Sequence, residues 1–156
     1  MTEYTTTEIR NVAFVGHAGA GKTLLTEALA HNAGAIATKG SIEKGTTVTD
    51  FDDLEKKHQH SLTSSLAAFN HNGLQVNLID TPGYPDFIGS AFSVLPAVET
   101  VAIVINAQQG IESTARRMSE WARDQNQCRM VIINRIDAEE VNLEAVYEPV
   151  SYTHLT

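Results

Sequence analysis

The stretch Gly16-His17-Ala18-Gly19-Ala20-Gly21-Lys22-Thr23 decides how the rest of the chain is read. It fits the pattern G-x-x-x-x-G-K-[ST]. In a chain with 10 glycines among 156 residues, such a match arises by chance on the order of 3 times in 1,000. Each part has a physical task. Gly16 and Gly21 let successive backbone N–H groups turn inward around phosphate. A helix starting at Lys22 adds the positive end of its dipole. Lys22 brings a point charge to the β and γ phosphates, and Thr23 offers a hydroxyl to Mg²⁺.

Local context agrees with this loop. Ile9–Val15 is a short apolar run entering the glycines and reads as a strand. Lys22–Ala33 carries Leu24, Leu25, Ala28 and Leu29 at helical spacing. Residues 34 to about 61 have poor periodicity and many charges, and read as a long functional loop. A weak strand near 62–69, a turn at Asn70-His71-Asn72-Gly73 and a strand at Leu74–Ile79 predict an antiparallel hairpin. A helix is expected from Asp86, as cap, to about Val94, with Pro96 stopping or kinking it. Val101–Ile105 and Met130–Ile133 read as buried parallel strands. Between them Ile111, Ala115, Met118 and Ala122 form one helix face, with Trp121 packed beside it. A further helix is expected over 139–147. Strands alternating with helices predict an α/β fold with a mostly parallel sheet, helices on both faces and one antiparallel hairpin strand. In such sheets ligands sit at the carboxyl ends of the strands.

Two more loops fall at strand ends. Asp80-Thr81-Pro82-Gly83 starts with a carboxylate placed to hold Mg²⁺ directly or through water. Gly83 can present its N–H to a γ-phosphate. Asn134-Arg135-Ile136-Asp137 resembles the N-K-x-D guanine box. A carboxylate at Asp137 can accept from guanine N1–H and its 2-amino group, whereas adenine leaves it unpaired. Asn134 can bond the N7 side of the base and the backbone of the first loop. Arg135 can lay its aliphatic stem and planar head on the base.

Composition bounds the alternatives. Eleven basic against 19 acidic residues give a net charge of −8, which argues against direct nucleic-acid binding by this stretch. No apolar run approaches the ~18 residues of a membrane span. The single cysteine, Cys128, is expected as a small core residue, and a reducing, cytoplasmic setting is the default. His58, His60 and His71 lack the spacing of a zinc site.

Taken together, the four stretches GHAGAGKT (16–23), GSIEKGTTVTDF (40–51), LIDTPGYPDF (78–87) and INRID (133–137) resemble translational GTPases of the elongation factor G family, in its elongation-factor-G-like branch. The resemblance covers about residues 9–148. It implies a P-loop NTPase fold, GTP/GDP binding with Mg²⁺, and hydrolysis stimulated by the ribosome in the intact factor. Gly16 to Thr23, Asp80, Gly83, Asn134, Arg135 and Asp137 would hold the nucleotide. Aligned without gaps, the family's R-G-I-T falls on residues 58–61, so Ser61 would join Thr23 and Asp80 at the metal, with Thr63 as the other hydroxyl. Lys22 and Gly83 would act on the γ-phosphate. The family's water-positioning histidine is replaced by Tyr84, which with His60 is a candidate to orient water. The family's common loop aspartate is Gly19 here.

The family's domain continues into another strand, so this chain is expected to be a partial G domain, truncated before its last strand and leaving an apolar edge open. Residues 1–8 read as a flexible lead-in. The tail PVSYTHLT, 149–156, has no periodic pattern; it resembles translated sequencing-adapter read-through or a frayed end, and the first would make it non-native. Two other functions stay open: a nucleotide-binding piece without turnover, and an ATP-using P-loop enzyme of another class.

Overall fold

Alternation along one strand sets up two layers. In β1 (Ile9–Val15), Ala13 and Val15 face one side of a sheet and Phe14 the other, all three buried. The computed structural model describes residues 3–49, 61–139 and 141–155. In chain order, β1 is followed by α1 (Lys22–Asn32), β2 (Ser65–His71), β3 (Leu74–Asp80), α2 (Ile88–Val94), β4 (Thr100–Asn106), α3 (Ser113–Asp124), β5 (Cys128–Asn134) and α4 (Leu143–Leu155). The sheet order is β2-β3-β1-β4-β5, with only β2 antiparallel to its neighbour. The expected α/β architecture is thus present. Parallel register pairs Phe14 with Asp80 and Asn106 with Asn134. The carboxyl ends of β1, β3 and β5, and therefore all three motif loops, emerge at the same end of the parallel strands.

Each face has its own core. Val101, Ile103 and Ile105 pack with Ala91 of α2, Met118 of α3, and Val146 and Val150 of α4. On the opposite face Phe14, Leu78, Ala102 and Val104 pack with Ala30 of α1 and Phe69 of β2. Trp121 packs against the first core, its ring 5.7 Å from Phe92.

Several local expectations change. The hairpin turn is only Asn72-Gly73, both left-handed at φ 48° and 80°. That two-residue turn matches the strand twist and lets β2 run on to His71. Asp86 caps nothing; it lies inside the 3₁₀ turn Pro85–Phe87 ahead of α2. Ile111 precedes α3 and packs on the core from there. The last helix begins at Leu143 rather than near 139, because Asn142 Oδ1 accepts the N–H groups of Glu144 and Ala145 at 3.1 and 3.2 Å and caps it there. This helix runs through Pro149 to Leu155, so the tail is helical. Buried Val146 and Val150 secure it on either side of the proline. In the lead-in, Thr6–Glu8 form a 3₁₀ turn held by the Glu8 carboxylate, which accepts from the Thr5 N–H and hydroxyl at 2.8 Å. Cys128 is exposed, not core. It opens β5, the edge strand, where no further strand stands beside it among the described residues.

Candidate functional site

Backbone conformation shapes the first loop. Gly16, Gly19 and Gly21 all have left-handed φ, at 137°, 83° and 93°. A Cβ on Gly16 would overlap the Val104 carbonyl, and one on Gly21 would overlap the Asn134 amide. A larger residue would therefore strain the backbone and push neighbouring strands apart. The loop closes over Lys22, which is 6% exposed. Its Nζ donates to the carbonyls of Gly16 and His17 at 2.8 and 3.0 Å.

Burial holds the Lys22 ammonium down to a pKa of about 8, while the charges of Asp80 and Glu112 partly restore it. A bound polyanion favours the ammonium and raises that pKa. Polyphosphate affinity should therefore be flat below pH 8. Above it, affinity should fall by up to about 10-fold per unit until the bound-state pKa is reached. Titrations from pH 7 to 10 measure this. The effect on folding has the opposite sign. The unfolded chain binds more protons between about 8 and 10.5, so without anion the Lys22 contribution to stability rises across that window.

The second loop abuts the first. Ala18 N–H donates to the Gly83 carbonyl at 3.1 Å. A Cβ on Gly83 would stand 2.5 Å from both Ala18 N and Lys22 Nζ. Thr81, buried, donates to the Phe14 carbonyl at 2.7 Å and ties this loop to β1. Thr23 Oγ1 donates to Asp80 Oδ2 at 2.5 Å and lies 3.4 Å from Ser61 Oγ. Two hydroxyls and a carboxylate thus converge at the start of α1. An all-oxygen set of this kind fits a hard divalent cation such as Mg²⁺. Thr63 is exposed. His58 and His60 lie outside the described residues. His71 is exposed at the end of β2, 3.1 Å from the Asn72 amide.

The third loop is fastened to the first. Asn134 Nδ2 donates to the Ala20 carbonyl at 2.9 Å. Arg135 adopts a left-handed φ of 58°, so the loop turns sharply after β5. Arg135 and Asp137 are exposed. Two adjoining cavities result. One of about 300 Å³ is lined by Ala18, Gly19, Lys22, Thr23, Ser61, Gly83 and Tyr84, among others. A second, of about 420 Å³, is lined by Leu25, Ala28, Asn134, Asp137 and Ala138. Gly21, Leu24 and Arg135 line both. An elongated ligand, anionic at one end and planar and polar at the other, matches this pair.

Three participants escaped the sequence reading. Glu112, just before α3, sets its Oε1 3.4 Å from His17 Nε2 and adds negative charge near Lys22. Ile42 lines the first cavity. Glu27, 1% exposed on α1, accepts backbone N–H groups from Gly40 and Val48. Only Glu27 carried a local signal, one helical turn beyond Thr23.

Comparison with known proteins gives concordant matches. The model of the elongation factor Tu GTP binding domain family matches residues 7–155. The tetracycline resistance protein TetW of Butyrivibrio fibrisolvens is 35% identical over 143 residues, 92% of this chain and 22% of its own length. The elongation factor G-like protein of Mycobacterium tuberculosis (strain H37Rv) is 37% identical over 134 residues, 86% of this chain and 19% of its own. A crystal structure of a Thermus thermophilus protein superposes with a TM-score of 0.89 at 36% identity, over 94% of this chain and 22% of that one. The chain thus spans about a fifth of the length of these relatives. No helix among the described residues is long and apolar enough to cross a membrane.

Proposed function

Since the chain belongs to the elongation factor Tu GTP binding domain family, we propose that it is the nucleotide-binding part of a cytoplasmic translation factor that hydrolyses GTP to GDP and phosphate at the ribosome. Residues 9–148 form the GTP-binding domain in this reading. The observation that carries it is the joining of three loops at the carboxyl ends of the parallel strands, with Asn134 bonded to Ala20 and Thr23 to Asp80. The names of the elongation-factor-G-like relatives support the ribosomal part.

In this reading each residue has a role. Backbone N–H groups of the first loop and the start of α1, with the Lys22 ammonium, would receive the phosphates; the N–H groups of Ala18 and Ala20 would first leave the carbonyls of Gly83 and His17. Lys22 already donates to two carbonyls of its own loop, so phosphate oxygens replace or share acceptors that are in place. Thr23, Asp80 and Ser61 would hold Mg²⁺, which supplies positive charge to the β- and γ-phosphate oxygens. Gly83 N–H faces the γ-phosphate, and Tyr84 orients water for attack on phosphorus. The bond to the β-phosphate oxygen breaks as the new P–O bond forms, and GDP leaves. His60 is the second candidate to orient that water. Asp137 reads the guanine edge, with the Arg135 stem on its face.

Competition of GDP, GTP and ATP against a fluorescent nucleotide tests this reading. Asp137→Ala should lose on the order of 10-fold or more in GDP affinity, because hydrogen bonds to a charged group are worth roughly 1.5–3 kcal/mol. An unchanged guanine-over-adenine preference in that variant removes Asp137 from the base site. Equal binding of ATP and GTP by the wild type removes the guanine reading itself.

A further inference from the structure

Glu27 is a buried carboxylate with no part in the scheme above. It accepts the N–H of Gly40 at 2.7 Å and also the N–H of Val48. Those two amides are the two ends of one loop. Between them the chain folds back: Thr46 N–H donates to the Ser41 carbonyl at 3.1 Å, and Gly45 N–H to the Ile42 carbonyl at 3.1 Å. The Thr46 hydroxyl accepts the Ser41 N–H at 3.0 Å. Gly40 lies so close to the backbone of Thr46 and Thr47 that a Cβ there would overlap them. Bonds from neutral amides to a carboxylate are about twice as strong as neutral ones, so one side chain of α1 clamps the whole loop.

Out of this loop Ile42 reaches the cleft. It lines the first cavity together with Gly21, Leu24 and Arg135, the three residues shared with the second. Those shared residues mark the passage from the phosphate end to the base end. In a nucleotide, the group between phosphates and base is the sugar, and its carbon face is apolar. Leu24 is 46% exposed there, an open leucine on α1 that a ligand would cover. We propose that Ile42 and Leu24 form an apolar contact for the sugar of the bound nucleotide, and that Glu27 is the positioning residue that holds Ile42 in place. This rests on the cleft being a guanine-nucleotide site.

The probe is GDP carrying a fluorophore on its ribose hydroxyls, bound to the 156-residue chain. Ile42→Ala should release it about 5-fold faster, because the shortened side chain no longer shields the sugar with its methyl and methylene groups. The guanine-over-adenine preference should be unchanged. Fluorophore emission should also shift toward its value in water. Glu27→Ala should speed release to a similar degree, and Glu27→Gln less, since its amide oxygen still accepts. Glu27→Ala combined with Ile42→Ala should release no faster than either alone, because Glu27 acts through Ile42. Wild-type release from Ile42→Ala overturns the sugar contact. Additive effects of the two substitutions overturn the positioning role. If Glu27→Ala fails to fold, the same cycle run with Glu27→Gln decides. If the wild type binds no GDP while adenine nucleotides bind, the guanine reading has failed instead, a result distinct from either.

Discussion

Lys22→Ala should lower GDP affinity on the order of 100-fold or more, the scale expected when one partner of a buried charge pair is removed. The reason lies around the ammonium. It is nearly sealed from water, and Asp80 and Glu112 are the charges it feels most. Without it, phosphates meet Asp80 and Glu112 with no ammonium between them. Lys22→Arg should fail as well, because Gly83 stands against the ammonium with no space for even a methyl group, and a guanidinium is broader. Loss of folding is separable from loss of binding. Burial already disfavours the charged side chain, so thermal unfolding of Lys22→Ala without nucleotide should hold or rise. Equilibrium titration with fluorescent GDP, beside a melting curve, gives both answers. Affinity within about 3-fold of wild type would remove Lys22 from the phosphate site.

Tyr84→Ala should slow ribosome-stimulated single-turnover hydrolysis on the order of 100-fold, while GTP binding changes little. Tyr84 is half-buried, lines the phosphate-end cavity and directly follows Gly83. Pro85 begins a 3₁₀ turn immediately after it, which fixes where its backbone points. The phenol need not act as a general base. Phosphoryl transfer hardly needs one, since it depends on positioning and charge stabilisation. The phenol can orient water as donor or acceptor. Tyr84→Phe keeps the ring and removes the hydroxyl, so it should share most of the loss if the hydroxyl is what matters. These assays use the full-length factor that carries this domain. A normal rate in Tyr84→Ala with a lost rate in His60→Ala would transfer the role to His60. Normal rates in both would end both assignments.

How much of this was legible in the sequence differs between strands, helices and site. Apolar runs gave β1 and β4 nearly to the residue: β4 is buried on both faces from Val101 onward, and β1 runs from Ile9 straight into the glycines of the first loop. Helix α1 was legible as a helix but not by its inner face. Its leucines suggested a buried stripe, yet Leu24 and Leu29 are 46% and 37% exposed while Thr26, Glu27 and Ala30 are inside. A hydroxyl and a carboxylate can be buried there because each has backbone partners: Thr26 donates to the Lys22 carbonyl at 3.0 Å, and Glu27 clamps its loop. Helix α4 starts later than expected because of the Asn142 cap, and it runs on past 147 through Pro149, where two buried valines outweigh the one hydrogen bond a proline forfeits. Cys128 was misjudged because an apolar neighbourhood in sequence does not say that a strand lies at an edge.

Within the site, contiguous loops were readable because each motif packs its chemistry into a few consecutive residues. The placements of Glu112 against His17 and of Ile42 in the cleft arise from elements far apart in the chain, and no local pattern encodes such meetings.

The Asn134–Ala20 bond has a consequence for how the protein comes into being. It joins residues 114 positions apart. Closing so long a loop is costly before other contacts reward it, and contacts of this range form late. During synthesis, GHAGAGKT leaves the ribosome long before β5 exists to brace it. Until Asn134 arrives, Ala20 lacks its amide partner and the base end of the cleft has only its α1 wall, without Asn134, Arg135, Asp137 and Ala138. On the role proposed for the cleft, capture of nucleotide therefore waits for the fifth strand to dock, and it follows the assembly of this sheet rather than seeding it.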